Sequence, residues 1–187
     1  MPQCAIAFSG RGRLARAVAL YLQHRNVPLI GLINRKHAHT TALTDLGIPV
    51  YSVSPTTWIE VCQAQEVAFI VLAGFLSLVP EEVVRKYPRR IVNSHPTLLP
   101  AFGGKGMYGV HAHRAVLSSG AQESGFTIHE VNERYDEGTI LYQLRLPITG
   151  VTAEQLEAFI QAVEREVYPP IVWRLWQERV IQATASL

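Results

Sequence analysis

Cys4-Ala5-Ile6-Ala7-Phe8-Ser9-Gly10-Arg11-Gly12-Arg13-Leu14-Ala15 reads as a short apolar run, a glycine turn and the beginning of a helix. The run Cys4–Ser9 has the length of a buried strand, and Gly10-Arg11-Gly12 ends it in a turn. Beyond the turn, Leu14–His24 places apolar residues at 14, 17, 18, 21 and 22, the spacing of an amphipathic helix. A buried strand feeding a helix through a tight turn is the unit from which α/β folds are built.

The same unit repeats downstream. Pro28–Ile33 is a second strand, Thr40–Leu46 a short helix closed by Gly47, Val50–Val53 a third strand and Pro55–Gln65 a helix. Val67–Leu72 (VAFIVL) is apolar on both faces and belongs at the centre of a sheet. Pro80 opens a helix over Glu81–Lys86, and Ile91–Ser94 is the next strand. The pattern then changes: Phe126–Val131 and Thr139–Leu146 flank a polar loop, Asn132–Gly138, as an antiparallel or mixed extension. A final helix from Thr152 to about Val180 is expected to kink or break at Pro169-Pro170. The expected fold is α/β: doubly wound, Rossmann-like, a mostly parallel sheet with a mixed C-terminal half, in one domain over 1–187 whose Rossmann-like half is 1–100.

Composition agrees with such a domain. The 187 residues are 48% hydrophobic and 17% charged, and 13 glycines with 11 prolines exclude collagen-like and disordered classes. A net charge of +2 is no basic field for nucleic acid. The longest apolar stretch, around Val67–Phe75, falls short of the ~18 residues that span a bilayer, so no membrane partner is expected. Cys4 and Cys62 form no CxxC and read as reduced thiols of a cytoplasmic protein.

The glycine turn matches G-x-G-x-x-A between strand and helix, where backbone N–H groups and the helix dipole favour an anion. A dinucleotide site would also want an acid about 20 residues on. Asn34-Arg35-Lys36 supplies none, leaving a 2′-phosphate and NADP as one reading and a simple phosphate or other anion near Gly12 and Arg13 as another.

Ile91-Val92-Asn93-Ser94-His95-Pro96-Thr97-Leu98-Leu99-Pro100 carries the chemistry. Asn93 and His95 stand at i, i+2 and share one side of a strand's C-terminal end, the edge where parallel sheets place ligands. An amide donor beside an imidazole suits an oxyanion formed when a nucleophile attacks a carbonyl. Asp136, in the polar loop, would orient the imidazole and help move a proton; by spacing alone Glu133 and Glu137 are equal candidates.

Asn93-x-His95-Pro-x-Leu-Leu-Pro, then Gly109-Val-His111-Ala-His113-Arg114-Ala and Asp136-x-Gly138, resembles the glycinamide ribonucleotide transformylase family of 10-formyltetrahydrofolate-dependent formyltransferases. The resemblance runs from about Val67 through Pro169 and includes Leu72-Ala73-Gly74-Phe75 and Glu164-x-x-x-Tyr168-Pro169. It implies transfer of a formyl group from 10-formyltetrahydrofolate to a primary amine, by default glycinamide ribonucleotide in purine biosynthesis. Asn93 would polarise the formyl carbonyl, His95 stabilise the same charge, and Asp136 support His95 and relay the amine's proton. Leu76, Ser77, Leu78, Asn132 and Tyr135 would line the folate pocket. Gly10, Gly12, Arg13, Gly109, Thr127 and Glu164 would serve the acceptor, and 101–187 is expected to be the folate and acceptor half with the C-terminal helix. The resemblance implies small-molecule partners only, no metal, and a monomer or homodimer.

The chain also departs from that family. The usual Gly-x-Gly-Ser/Thr-Asn has become Gly10-Arg11-Gly12-Arg13-Leu14, which puts the acceptor in question: an amino sugar or amino acid derivative is the alternative amine, and hydrolysis of 10-formyltetrahydrofolate an alternative reaction. A folate- or nucleotide-binding protein without catalysis is the third. Phe102-Gly103-Gly104-Lys105-Gly106-Met107-Tyr108-Gly109 is a longer glycine loop, able to act as a flap. His37-x-His39 and His111-x-His113 lack the further ligands of a closed metal site.

Overall fold

The structure, a computed structural model, describes residues 2–34 and 38–185. In chain order the elements are β1 (Gln3–Phe8), α1 (Arg13–Gln23), β2 (Leu29–Ile33), α2 (Thr41–Thr44), β3 (Val50–Ser52), α3 (Trp58–Ala64) and β4 (Val67–Leu72). There follow α4 (Glu81–Lys86), β5 (Ile91–His95), α5 (Gly109–Ser118), β6 (Glu123–Glu130), β7 (Ile140–Pro147) and α6 (Ala153–Trp176). A π-helical turn, Gln177–Ile181, and α7 (Gln182–Ala185) complete it.

The strands form one sheet in the order β3-β2-β1-β4-β5-β6-β7. The first five are parallel, while β6 and β7 run antiparallel to their neighbours. The expected architecture is therefore present. The chain winds outward from β1 in one direction, then returns to β4 and winds outward in the other. The crevice beyond the C-terminal ends of β1 and β4 is the topological switch point where such sheets hold ligands.

Alternation along the strands divides the core in two. Ile6, Phe8, Val71 and Val92 pack with Val18, Leu22, Ile160, Tyr168 and Trp176 from α1 and α6 on one face. Ala5, Ala7, Ile70, Leu72 and Ile91 pack with Trp58, Cys62 and Val83 from α3 and α4 on the other. Each large side chain so buried stabilises the fold by roughly 1.5–3 kcal/mol relative to exposure.

Three expectations are corrected. The helices expected over Thr40–Leu46 and Pro55–Gln65 shrink to α2 and α3, the second because polar side chains take over its start. Ser54 and Thr57 bond reciprocally through hydroxyl and backbone and hold the chain in a turn. The glycine-rich segment ends in α5, a helix not read from the sequence, whose Ala112, His113 and Val116 are buried. The final helix does not break at Pro169-Pro170: α6 runs through both prolines as one helix. Two ladder donors are lost there, but Tyr168, Pro169, Val172, Leu175 and Trp176 are all buried, and that packing overrides the local preference. A capping box of Thr152 and Gln155 starts the helix where expected.

Candidate active site

Strand β5 carries Asn93 and His95 to the sheet's C-terminal edge, with His129 and Thr127 of β6 directly opposite them. Past β6 the polar loop turns back through Asp136, which adopts φ 58, left-handed backbone that a non-glycine residue enters only under constraint. The turn aims its carboxylate at the strand pair. Oδ1 stands 3.4 Å from His95 Nδ1 and 3.5 Å from His129 Nε2, and Oδ2 accepts the Gly104 N–H at 2.9 Å. A Cβ at Gly103 would lie 2.6 Å from Leu99 Cδ2 and 3.0 Å from Asp136 Cβ, so a side chain here would displace the Leu99 tip and press on Asp136.

Of the three acids in the loop, Asp136 is the one brought to His95. Glu137 pairs instead with Arg134 at 3.2 Å, and Glu133 is exposed. The buried His95 has an acceptor at each nitrogen: Asp136 at Nδ1, and the Phe102 carbonyl at Nε2, 2.8 Å away. Thr97 donates to the same carbonyl at 2.9 Å. Asn93 Nδ2 lies 3.1 Å from His129 Nε2.

Burial would raise the Asp136 carboxyl, but His129, His95 and the Gly104 N–H outweigh it and hold the group well below the usual carboxylate range. Glu164 behaves in the opposite way. It is buried, and desolvation pushes it up to about 7 although the Ser94 hydroxyl donates to it at 2.5 Å. His113 is pushed down to about 4, mainly by burial and then by His95. Neither of its ring nitrogens has a partner among the described residues.

These groups share a cavity of about 780 Å³ at the switch point. Gly10, Arg11, Gly12 and Arg13 line one end; Asn93, His95, Tyr135 and Asp136 line a second wall, and Gly109, His113, Glu157 and Glu164 line the wall made by α5 and α6. Arg13 is the first residue of α1, whose N-terminus has no side-chain cap and no acid in its first turn. That end can receive an anion. Gly12 has φ 67, and a Cβ on it would lie 2.6 Å from Ala42 Cβ, so the tight approach requires glycine.

The expected binding residues divide. Leu76 lines the cavity, although its backbone N–H already donates to Ser9 Oγ at 3.0 Å. Ser77, Leu78 and Asn132 are not among the lining residues, and Asn132 spends its side-chain oxygen on the Arg134 N–H at 2.9 Å. Thr127 is also outside. Its buried hydroxyl donates to the Thr97 carbonyl at 2.8 Å and accepts from the Leu99 N–H at 3.0 Å, fixing the turn before Pro100. Arg35, Lys36 and His37, on which the NADP and one metal reading rest, lie outside the described residues; Asn34 accepts from the Ser9 hydroxyl at 3.3 Å. Among the described residues no three or more His, Cys, Asp or Glu side chains are grouped to hold a metal ion. No described helix is long and apolar enough to cross a membrane.

Sequence reasoning passed over His129. Its signal is the lone imidazole of Phe126-Thr127-Ile128-His129, on the phase opposite the core residues Phe126 and Ile128 and visible as a site residue only once β6 is paired in register with β5.

The chain matches the formyl transferase family over residues 7–172. It is 46% identical over 133 residues to a phosphoribosylglycinamide formyltransferase, chloroplastic, of Arabidopsis thaliana, a match covering 71% of this chain and 46% of that protein. The chain thus spans less than half the length of the plant relatives it matches. The phosphoribosylglycinamide formyltransferase of Bacillus subtilis is 29% identical over 197 residues, covering 94% of this chain and 95% of that one. A solved phosphoribosylglycinamide formyltransferase from Bacillus halodurans superposes with a TM-score of 0.82 at 30% identity, covering 93% of this chain and 95% of the other.

Proposed function

This chain belongs to the formyl transferase family, and we propose that it moves a formyl group from 10-formyltetrahydrofolate to the primary amine of glycinamide ribonucleotide, a step of purine biosynthesis. The observation that carries this reading is the convergence of Asn93, His95 and Asp136 on one wall of a cavity whose far end is the uncapped start of α1. The chain acts as one formyltransferase domain, and its two unpaired cysteines suit the reducing cytoplasm.

The residues divide the work as follows. As the amine nitrogen bonds to the formyl carbon, charge gathers on the formyl oxygen. Asn93 donates an amide N–H to that oxygen. His95 assists it once its Nε2 leaves the Phe102 carbonyl, while Asp136 holds the ring by Nδ1. The proton shed by the amine passes toward Asp136, and the bond to the folate nitrogen breaks as that nitrogen takes a proton. Leu76 and Tyr135 line the folate side; Ser77, Leu78 and Asn132 would join them only through movement of their loops. Gly10, Gly12, Arg13, Gly109 and Glu164 line the acceptor side, whereas Thr127 acts by holding the turn that follows His95.

A second reading keeps the chemistry and changes the amine. It rests on Arg13 and Leu14, which stand where the resembled pattern has a hydroxyl and an amide, and on Arg11 and Lys105, two further cations lining the cavity. The test is incubation with 10-formyltetrahydrofolate and either glycinamide ribonucleotide or a panel of amino sugars and amino acid derivatives, the products followed by mass spectrometry. Formylated ribonucleotide is the expected result. Transfer only to another amine selects the second reading, and release of formate alone selects hydrolysis.

A further inference from the structure

Asn93 and His129 face each other across the β5–β6 pairing, 3.1 Å apart through Asn93 Nδ2 and His129 Nε2. Two nitrogens can share a hydrogen bond only if one of them is bare. The other His129 nitrogen decides which. Nδ1 lies 2.8 Å from the backbone carbonyl of Glu130, and a carbonyl oxygen can only accept. The single proton of a neutral ring therefore sits on Nδ1. Nε2 is left with a lone pair, and the group opposite must be an N–H.

We propose that His129 is a positioning residue: bare at Nε2, it fixes the orientation of the Asn93 amide so that the nitrogen, and not the oxygen, is the end held at the strand. An amide nitrogen carries two hydrogens, and His129 takes one. The second has no protein partner among the described contacts, and Asn93 lines the cavity. That free hydrogen is the donor offered to the formyl oxygen. A flipped amide would present a carbonyl oxygen to His129, lone pair against lone pair, so the ring selects one of two otherwise isosteric states.

Asp136 Oδ1 stands 3.5 Å from Nε2, farther than Asn93 Nδ2 at 3.1 Å, and has His95 Nδ1 nearer at 3.4 Å. A ring protonated at both nitrogens would instead give its Nε2–H to Asp136, and the 15N spectrum separates the two states. The Glu130 carboxylate is turned away, paired with Arg179 at 2.8 Å.

This inference rests on the transfer reading for its consequence but not for its test. In the folded protein with 15N-labelled imidazole, His129 at pH 7.5 is expected to show a protonated Nδ1 and a bare Nε2. Protons on both nitrogens, or on Nε2 alone, would overturn the proposal. In the transfer assay, His129→Gln, whose oxygen can accept from Asn93, is expected to stay within about 3-fold of the wild-type kcat. His129→Met is expected to lose about 100-fold in kcat, the scale of one oxyanion donor, with both KM values within about 3-fold. Equal losses in the two variants, or none in either, also defeat it. If the wild-type chain transfers no formyl group, the functional reading falls while the 15N spectrum still decides the tautomer.

Discussion

Ser94 donates its hydroxyl hydrogen to Glu164 at 2.5 Å, and one turn further along α6 the Tyr168 hydroxyl reaches the Val92 carbonyl at 3.2 Å. The i, i+4 pair of a helix thus holds alternate residues of β5, on the face opposite Asn93 and His95. The strand that presents Asn93 and His95 is anchored to α6, whose Glu164 also lines the cavity.

Glu164 contributes to that anchoring at some expense in stability. A carboxyl that titrates at about 7 instead of 4.5 is destabilising on ionisation, by on the order of 3 kcal/mol. The folded state binds the proton more tightly, so stability is full below pH 4.5 and falls as pH rises toward 7. Glu164→Gln, which can still accept from Ser94, is expected to raise the urea midpoint at pH 8 and leave it unchanged at pH 4.

Asp136→Asn is expected to lower kcat by about 100-fold or more, with little change in KM, because it removes the charge that holds His95. The depressed carboxyl also gives a sign to acid unfolding. Its stabilising contribution is complete above its ordinary value of 3.8 and is lost as pH falls below that point. Denaturant titrations below pH 4 should therefore show a shallower loss of stability in Asp136→Asn than in the wild type.

His113 reports in a different window. A buried imidazole lowered from 6.5 to about 4 costs stability as pH falls from 6.5, because the unfolded chain binds the proton first. The loss between pH 7 and pH 5 is on the order of 2 kcal/mol. His113→Leu, which fills a similar volume and leaves no unpartnered nitrogen, is expected to be more resistant to urea than the wild type at pH 5, with a smaller advantage at pH 7.

Gly12→Ala tests the glycine turn. The added Cβ meets Ala42 Cβ at 2.6 Å and the Phe8 ring at 3.1 Å, in a backbone already at positive φ. A loss of about 2–4 kcal/mol in unfolding free energy is expected. The same change should raise the KM of an anionic acceptor if α1 remains folded, which circular dichroism on the same sample checks.

Much of the fold is legible in the sequence because it is written in burial. Val67–Leu72 is apolar on both faces only because helices cover both, and that pattern alone places it centrally. The same logic fails for α6, where Pro169-Pro170 argues locally for a break and long-range packing of Trp176 and Val172 prevails. At the site, Asn93 and His95 could be paired from their i, i+2 spacing. Asp136 could not be told from Glu133 or Glu137, since a loop's direction depends on the left-handed turn at Asp136 itself. His129 was illegible for a related reason: strand register is a property of two segments 36 residues apart, not of either one.

The order in which the sheet is threaded has a consequence for synthesis. All five parallel strands lie before Pro96, so a growing chain can assemble them with Asn93 and His95 already in place. Yet Ile6, Phe8, Val71 and Val92 are covered by residues as late as Tyr168 and Trp176. Until α6 leaves the ribosome, α1 covers only part of that face of the nascent half and much of the rest stays a wide greasy surface, the kind of intermediate that chaperones retain and that aggregates when they do not. Asp136, which the proposed transfer also needs, joins the site only after most of the chain has been made.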